Sequence, residues 1–143
     1  MADGFDLGRF EAAQAPVIAQ VLRELRAGEK RSHWMWFVFP QLAGLGHSPM
    51  AQRYAIQSLD EARAYLAHDV LGPRLIECTK LVNAVEDRSI HAIFGSPDDM
   101  KFRFSMTLFA RAAAPDEPVF RDALCRYFGG NEDPKTIDLL GVV

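Results

Sequence analysis

An all-α fold is predicted for this 143-residue chain, as one domain (1–143) of seven to nine short helices in compact orthogonal or horseshoe-like packing. Three observations predict it. Helix starts recur as a capping side chain followed by proline, at Ser48-Pro49, Ser96-Pro97 and Asp133-Pro134. Apolar residues return at spacings of three and four along several separate stretches. Asn-Gly or Asp-Gly turns between alternating apolar runs, the mark of a β-hairpin, are missing.

The elements follow in order. Val17, Ile18, Val21, Leu22 and Leu25 form a first stripe, which Gly28 can stop. Residues 34–39 are apolar on every side and fit a buried strand or a buried helix; helix is the favoured reading. Ser48-Pro49 starts the next helix. Ser58 with Glu61 reads as a capping box, ahead of Leu59, Ala62 and Leu66 with Tyr65 at the stripe's edge. Gly72 is a plausible stop. Leu75, Cys78, Val82 and Val85 make a further stripe, and Gly95 ends that region. A helix over 97–113 comes next, followed by Val119, Phe120, Ala123, Leu124 and Tyr127 up to Gly129-Gly130. Asp133-Pro134 opens a last helix. Segments of mostly eight to fifteen residues are expected.

Composition excludes several function classes. A net charge of −3 and a pI near 5.8 argue against binding duplex nucleic acid, which rewards a basic excess. Cys78 and Cys125 lack metal spacing and are expected to be free thiols, Cys78 in the core and Cys125 off its helix's stripe. The four histidines, 33, 47, 68 and 91, contain no i, i+4 pair, so neither a metal nor a cofactor is expected. Nucleotide-loop and hydrolase motifs are absent. The start of the chain has no apolar signal core, and the apolar run 34–39 is far too short to span a bilayer. The expectation is a cytoplasmic protein without membrane contact.

Two segments hold polar groups amid apolar ones. In helix 97–113, Leu108, Ala112, Phe109, Phe102, Ala113 and Met106 spread over one arc, extended by Phe104, with Arg103, Thr107 and Arg111 opposite. Lys101 and Ser105 fall inside the arc. An ammonium there needs a carboxylate, carbonyls or a ligand anion, and Asp98 or Asp99 can supply the charge from within. Residues 29–54 hold Trp34, Trp36, His33 and Gln41 beside the loop Gly44-Leu45-Gly46-His47-Ser48. When buried, such groups form an internal network or a pocket wall. The two segments are expected to meet, placing His33, Trp36 and Gln41 near Lys101 and Ser105.

The stretches KRSHWMWFVFPQLAGLGHSPMAQRYAI, SLDEARAYLAHDVLGPRL and IFGSPDDMKFRFSMTLFA together resemble the bacterial domain of unknown function 1810, over residues 5–128. The resemblance implies a mainly α-helical fold and no established activity. It also implies a small residue, usually Ser, where this chain has Phe104, which would narrow a polar pocket. The label calpastatin carried by some members does not suit a short, apolar, helix-capped chain.

Three functions compete. One is a module binding a small anionic, nucleotide-like ligand through His33, Trp36, Gln41, Lys101 and Ser105. Another is a small hydrolase or glycosidase acting on a nucleotide or ADP-ribose derivative at that site, with His33 or Asp99 moving the proton. The third is an interaction module with a protein partner, in which every conspicuous residue is structural.

Overall fold

The structure is a computed structural model and describes residues 4–141. Its helices are α1 (Gly8–Gln14), α2 (Ile18–Ala27), α3 (Met35–Val38), α4 (Pro49–Arg53), α5 (Leu59–Ala67), α6 (Leu71–Asn83), α7 (Ile90–Phe94), α8 (Asp98–Ala112), α9 (Val119–Phe128) and α10 (Pro134–Leu140). Ten helices among the described residues is one more than the upper end of the expectation. The helices without an expected counterpart are the short α1 and the five-residue α7. No β-strand forms among the described residues. Leu42 and Ile56 make one isolated parallel bridge, with Ile56 N–H donating to the Gln41 carbonyl at 2.9 Å.

The stripes point inward as their spacing requires. Val21, Leu25, Leu75, Cys78, Val82, Phe120 and Leu124 are buried. Tyr65, expected at an edge, is instead fully buried. Cys78 is buried and Cys125 exposed, both free; burial pushes the Cys78 thiol up to about 12. Residues 34–39 form only one helical turn, which ends where Phe39 leaves the helical region.

Caps set several boundaries. Ser48 Oγ accepts from Ala51 N–H, Ser58 Oγ from Glu61 N–H and Asp133 from Thr136 N–H. Glu61 returns its bond to Gln57 N–H, one residue before the expected partner. Ser96 does not cap: α8 begins at Asp98 after Pro97, without a side-chain cap. Gly28 and Gly129 end α2 and α9 in the left-handed region. Gly72, expected as a stop, lies inside α6. A Cβ there would sit 2.1 Å from the Leu66 carbonyl oxygen, so glycine allows α5 and α6 to cross closely.

α8 is the axis, packing against α5, α7, α9 and α10. Phe102 and Phe109, two turns apart on it, each anchor a column of rings. Phe102 lies 5.0 Å from Phe94 and 5.2 Å from Phe39, which leads to Trp34 at 6.2 Å. Phe109 lies 5.3 Å from Tyr65, which touches Phe10 at 5.2 Å. Phe94 and Phe102 stack while the other pairs meet tilted or edge-on, and each fully buried ring contributes roughly 1.5–3 kcal/mol. The face of α8 expected to be polar is also covered. Thr107 is buried, its hydroxyl accepting from Asp133 N–H at 2.9 Å. Arg111 makes two bonds to Glu132, at 2.6 and 2.8 Å. Those bonds from Arg111 hold the Glu132 carboxyl below its ordinary value against the opposing effect of burial, with Arg121 assisting.

Candidate functional site

The geometry starts at Glu24. It sits on the buried side of α2, only 4% exposed. Gly28 ends the helix, the chain doubles back, and the carboxylate gathers the returning segment. It accepts from Arg31 N–H at 2.8 Å, Ser32 N–H at 3.0 Å, Ser32 Oγ, Gln20 Nε2 at 2.7 Å and Trp34 Nε1 at 2.9 Å. Burial alone would raise this carboxyl. The bonds from Ser32, the Arg31 backbone, Gln20 and Trp34 together outweigh it and lower the pKa to about 2.

Lys30 is fixed in the same turn. Its backbone N–H donates to the Ile93 carbonyl at 2.8 Å, and its ammonium reaches the Ser32 carbonyl at 2.6 Å. The ammonium also lies 5.1 Å from the Trp34 ring centre and 2.8 Å from Asp98 Oδ2. Asp98 opens α8, where a carboxylate complements the helix dipole. Its other oxygen, Oδ1, faces Lys101 at 3.6 Å, and the Lys101 ammonium stands 5.2 Å from the Trp36 ring centre. The order in space is therefore Glu24, Trp34, Lys30, Asp98, Lys101, Trp36. Beside this series, His91 Nδ1 lies 3.1 Å from Asp99 Oδ2, on an exposed imidazole.

Of the five residues expected to form a site, the structure brings Trp36 and Lys101 together. Trp36 is half-buried. His33 is exposed, and no hydrogen bond or ion pair joins it to the other four. Gln41 is buried under the glycine loop, where a Cβ on Gly46 would come within 2.9 Å of Gln41 Nε2. Ser105 is fully buried, and its hydroxyl has no hydrogen-bond partner. Two clefts, of about 430 and 550 Å³, are lined from α6, α9 and the residues before α9, and contain none of the five. Among the described residues no group of His, Cys, Asp and Glu could hold a metal ion. No described helix is long and apolar enough to cross a membrane.

Sequence reading missed Glu24, Lys30, Asp98 as a shared partner, and the His91–Asp99 pair. Glu24 carried the signal that singled out Lys101: seven residues after Val17, it falls on the apolar stripe of its own helix. Lys30 and His91 carried none, since loop contacts and a one-turn helix place them.

A search of curated proteins finds no match. Among solved structures, the chain is similar to a conserved hypothetical protein, Rv1873, from Mycobacterium tuberculosis. The two are 62% identical with a TM-score of 0.95, over 99% of this chain and 100% of that one. The family described as "Protein of unknown function (DUF1810)" matches residues 4–140, and with this fold and this coverage the chain belongs to that family.

Proposed function

We propose that the chain is a binding module for a small anionic, nucleotide-like ligand, held where α3 meets the start of α8. The observation that carries this reading is the unequal sharing of Asp98. Lys30 holds it at 2.8 Å, whereas Lys101 stands off at 3.6 Å. An incoming anion can recruit Lys101 without leaving a carboxylate unpaired, because Lys30 still neutralises Asp98. The half-buried Trp36 ring beside that ammonium offers a stacking surface for a base.

The test is a thermal-shift screen with nucleotides, sugar phosphates and dinucleotides on wild type and Lys101→Ala. A ligand at a hundredfold excess over its Kd stabilises the native state by about 2.7 kcal/mol, a shift of several degrees. The variant should melt near wild type without ligand and lose the ligand-induced shift. No shift across the screen, or a shift that survives the substitution, rejects the reading.

The His91–Asp99 pair favours a second reading, a small hydrolase or glycosidase acting on a nucleotide or ADP-ribose derivative. A carboxylate on Nδ1 fixes the imidazole and leaves Nε2 to move a proton. Turnover of such a compound by wild type but not by His91→Ala would support it.

A further inference from the structure

The two clefts share Lys80 and run together along the outer face of α6. Pro73, Ile76, Lys80 and Asn83 recur there at spacings of three and four, so they form one strip of that helix. The opposite wall comes from Glu117, Val119 and Asp122. Pro73, Ile76 and Pro118 give the groove apolar surface, while its carboxylates, Glu77, Glu117 and Asp122, are ion-paired with nothing among the described residues, Glu117 only accepting from Val119 N–H at 3.3 Å. Glu24, Glu61, Asp98 and Glu132, by contrast, are each engaged by an internal cation or a ring of donors. Asn83 adds a further unmet need. Its amide nitrogen donates to the Val119 carbonyl at 3.1 Å, but its side-chain oxygen is buried without a partner. A buried acceptor of that kind costs free energy until a donor reaches it.

We infer that this groove docks a basic peptide segment of a partner protein, one that alternates arginine or lysine with apolar side chains. The cations would face Glu77, Glu117 and Asp122, which outnumber Lys80 three to one. The apolar side chains would cover Pro73, Ile76 and Pro118, and a peptide N–H would reach the Asn83 oxygen once its amide turns out of the bond to the Val119 carbonyl. Charge complementarity selects the partner and the groove sets its register. This surface shares no residue with the Trp36–Lys101 face, so the two readings stand or fall separately.

The experiment is fluorescence anisotropy with a labelled decapeptide of alternating Leu and Arg, and with its Leu-Glu counterpart, in about 0.15 M salt. Wild type should bind the first saturably in the micromolar range and the second not at all. The double variant Glu117→Lys/Asp122→Lys should lose affinity tenfold or more, and Asn83→Ala several-fold, with melting temperatures confirming that each is folded. Asp60→Lys, at an 81% exposed side chain outside the groove, should bind as wild type does. The inference is overturned by an absence of saturable binding, by an unchanged double variant, or by an equal loss in Asp60→Lys, which would reduce the effect to overall charge.

Discussion

Glu24 shows how one side chain can organise a segment that the rest of the chain then uses. Its carboxyl is held at about 2 against an ordinary 4.5, so its folded form is favoured in the ionised state. The corresponding stabilisation is fully present above pH 4.5 and disappears as pH falls through 4.5 toward 2; a depression of that size is worth about 3 kcal/mol. Glu24→Gln should therefore melt well below wild type at pH 7, and the gap should narrow toward pH 3. A constant gap across that range would mean that the charge does not matter. Ser105 makes the opposite case. Its hydroxyl is sealed and unpartnered, so Ser105→Ala should melt at or slightly above the wild-type temperature. Trp34→Ala, which removes a buried ring and a donor to Glu24, should cost about 3–5 kcal/mol in denaturant unfolding. At this scale the sequence marked Lys101 correctly as a charge needing a partner, because its place on the helical wheel is computable. The identity of that partner's second cation, Lys30, was not legible, since it arrives through a loop.

Elements were legible where they are long. The stripes of α2, α6 and α9 and the caps at Ser48, Ser58 and Asp133 follow from spacing and side-chain reach alone. Helix was the favoured reading for 34–39, where α3 forms, but α1 and the one-turn α7 were not read, because so short a piece shows no clear period and tertiary contacts set its ends. Gly72 was misread for a related reason: glycine as a helix stop and glycine as a crossing point look alike until the neighbouring helix is placed. The two roles separate experimentally. A stop in the left-handed region would lose roughly 1–2 kcal/mol on change to Ala, whereas a Cβ driven against the Leu66 carbonyl should displace α5 from α6 and cost several times more in thermal unfolding. Asp133→Ala should cost more than Ser48→Ala. Asp133 is buried and accepts from both Thr136 N–H and Thr136 Oγ1, while Ser48 is exposed and accepts once.

Across the whole molecule, the ring columns built on Phe102 and Phe109 join most of the helices into one core and leave the charged groups to fasten the periphery. That arrangement explains the unequal burial of the five residues expected to form a site. Gln41 and Ser105 were drawn into the interior, His33 was left outside, and Trp36 and Lys101 came together at the surface of the core. Apolar periodicity could specify which faces turn inward, but not which polar group on those faces keeps access to solvent. The claim that this pair receives an anionic ligand is tested most directly on its own ring. The chain has two tryptophans, so an ¹⁵N–¹H spectrum holds two indole signals, Trp34 buried against Glu24 and Trp36 beside Lys101. Titration with a nucleotide diphosphate should shift the Trp36 signal saturably, leave Trp34 in place, and have no effect in Lys101→Ala. A Trp36 signal that stays fixed throughout the titration, or that moves equally in the variant, would contradict it.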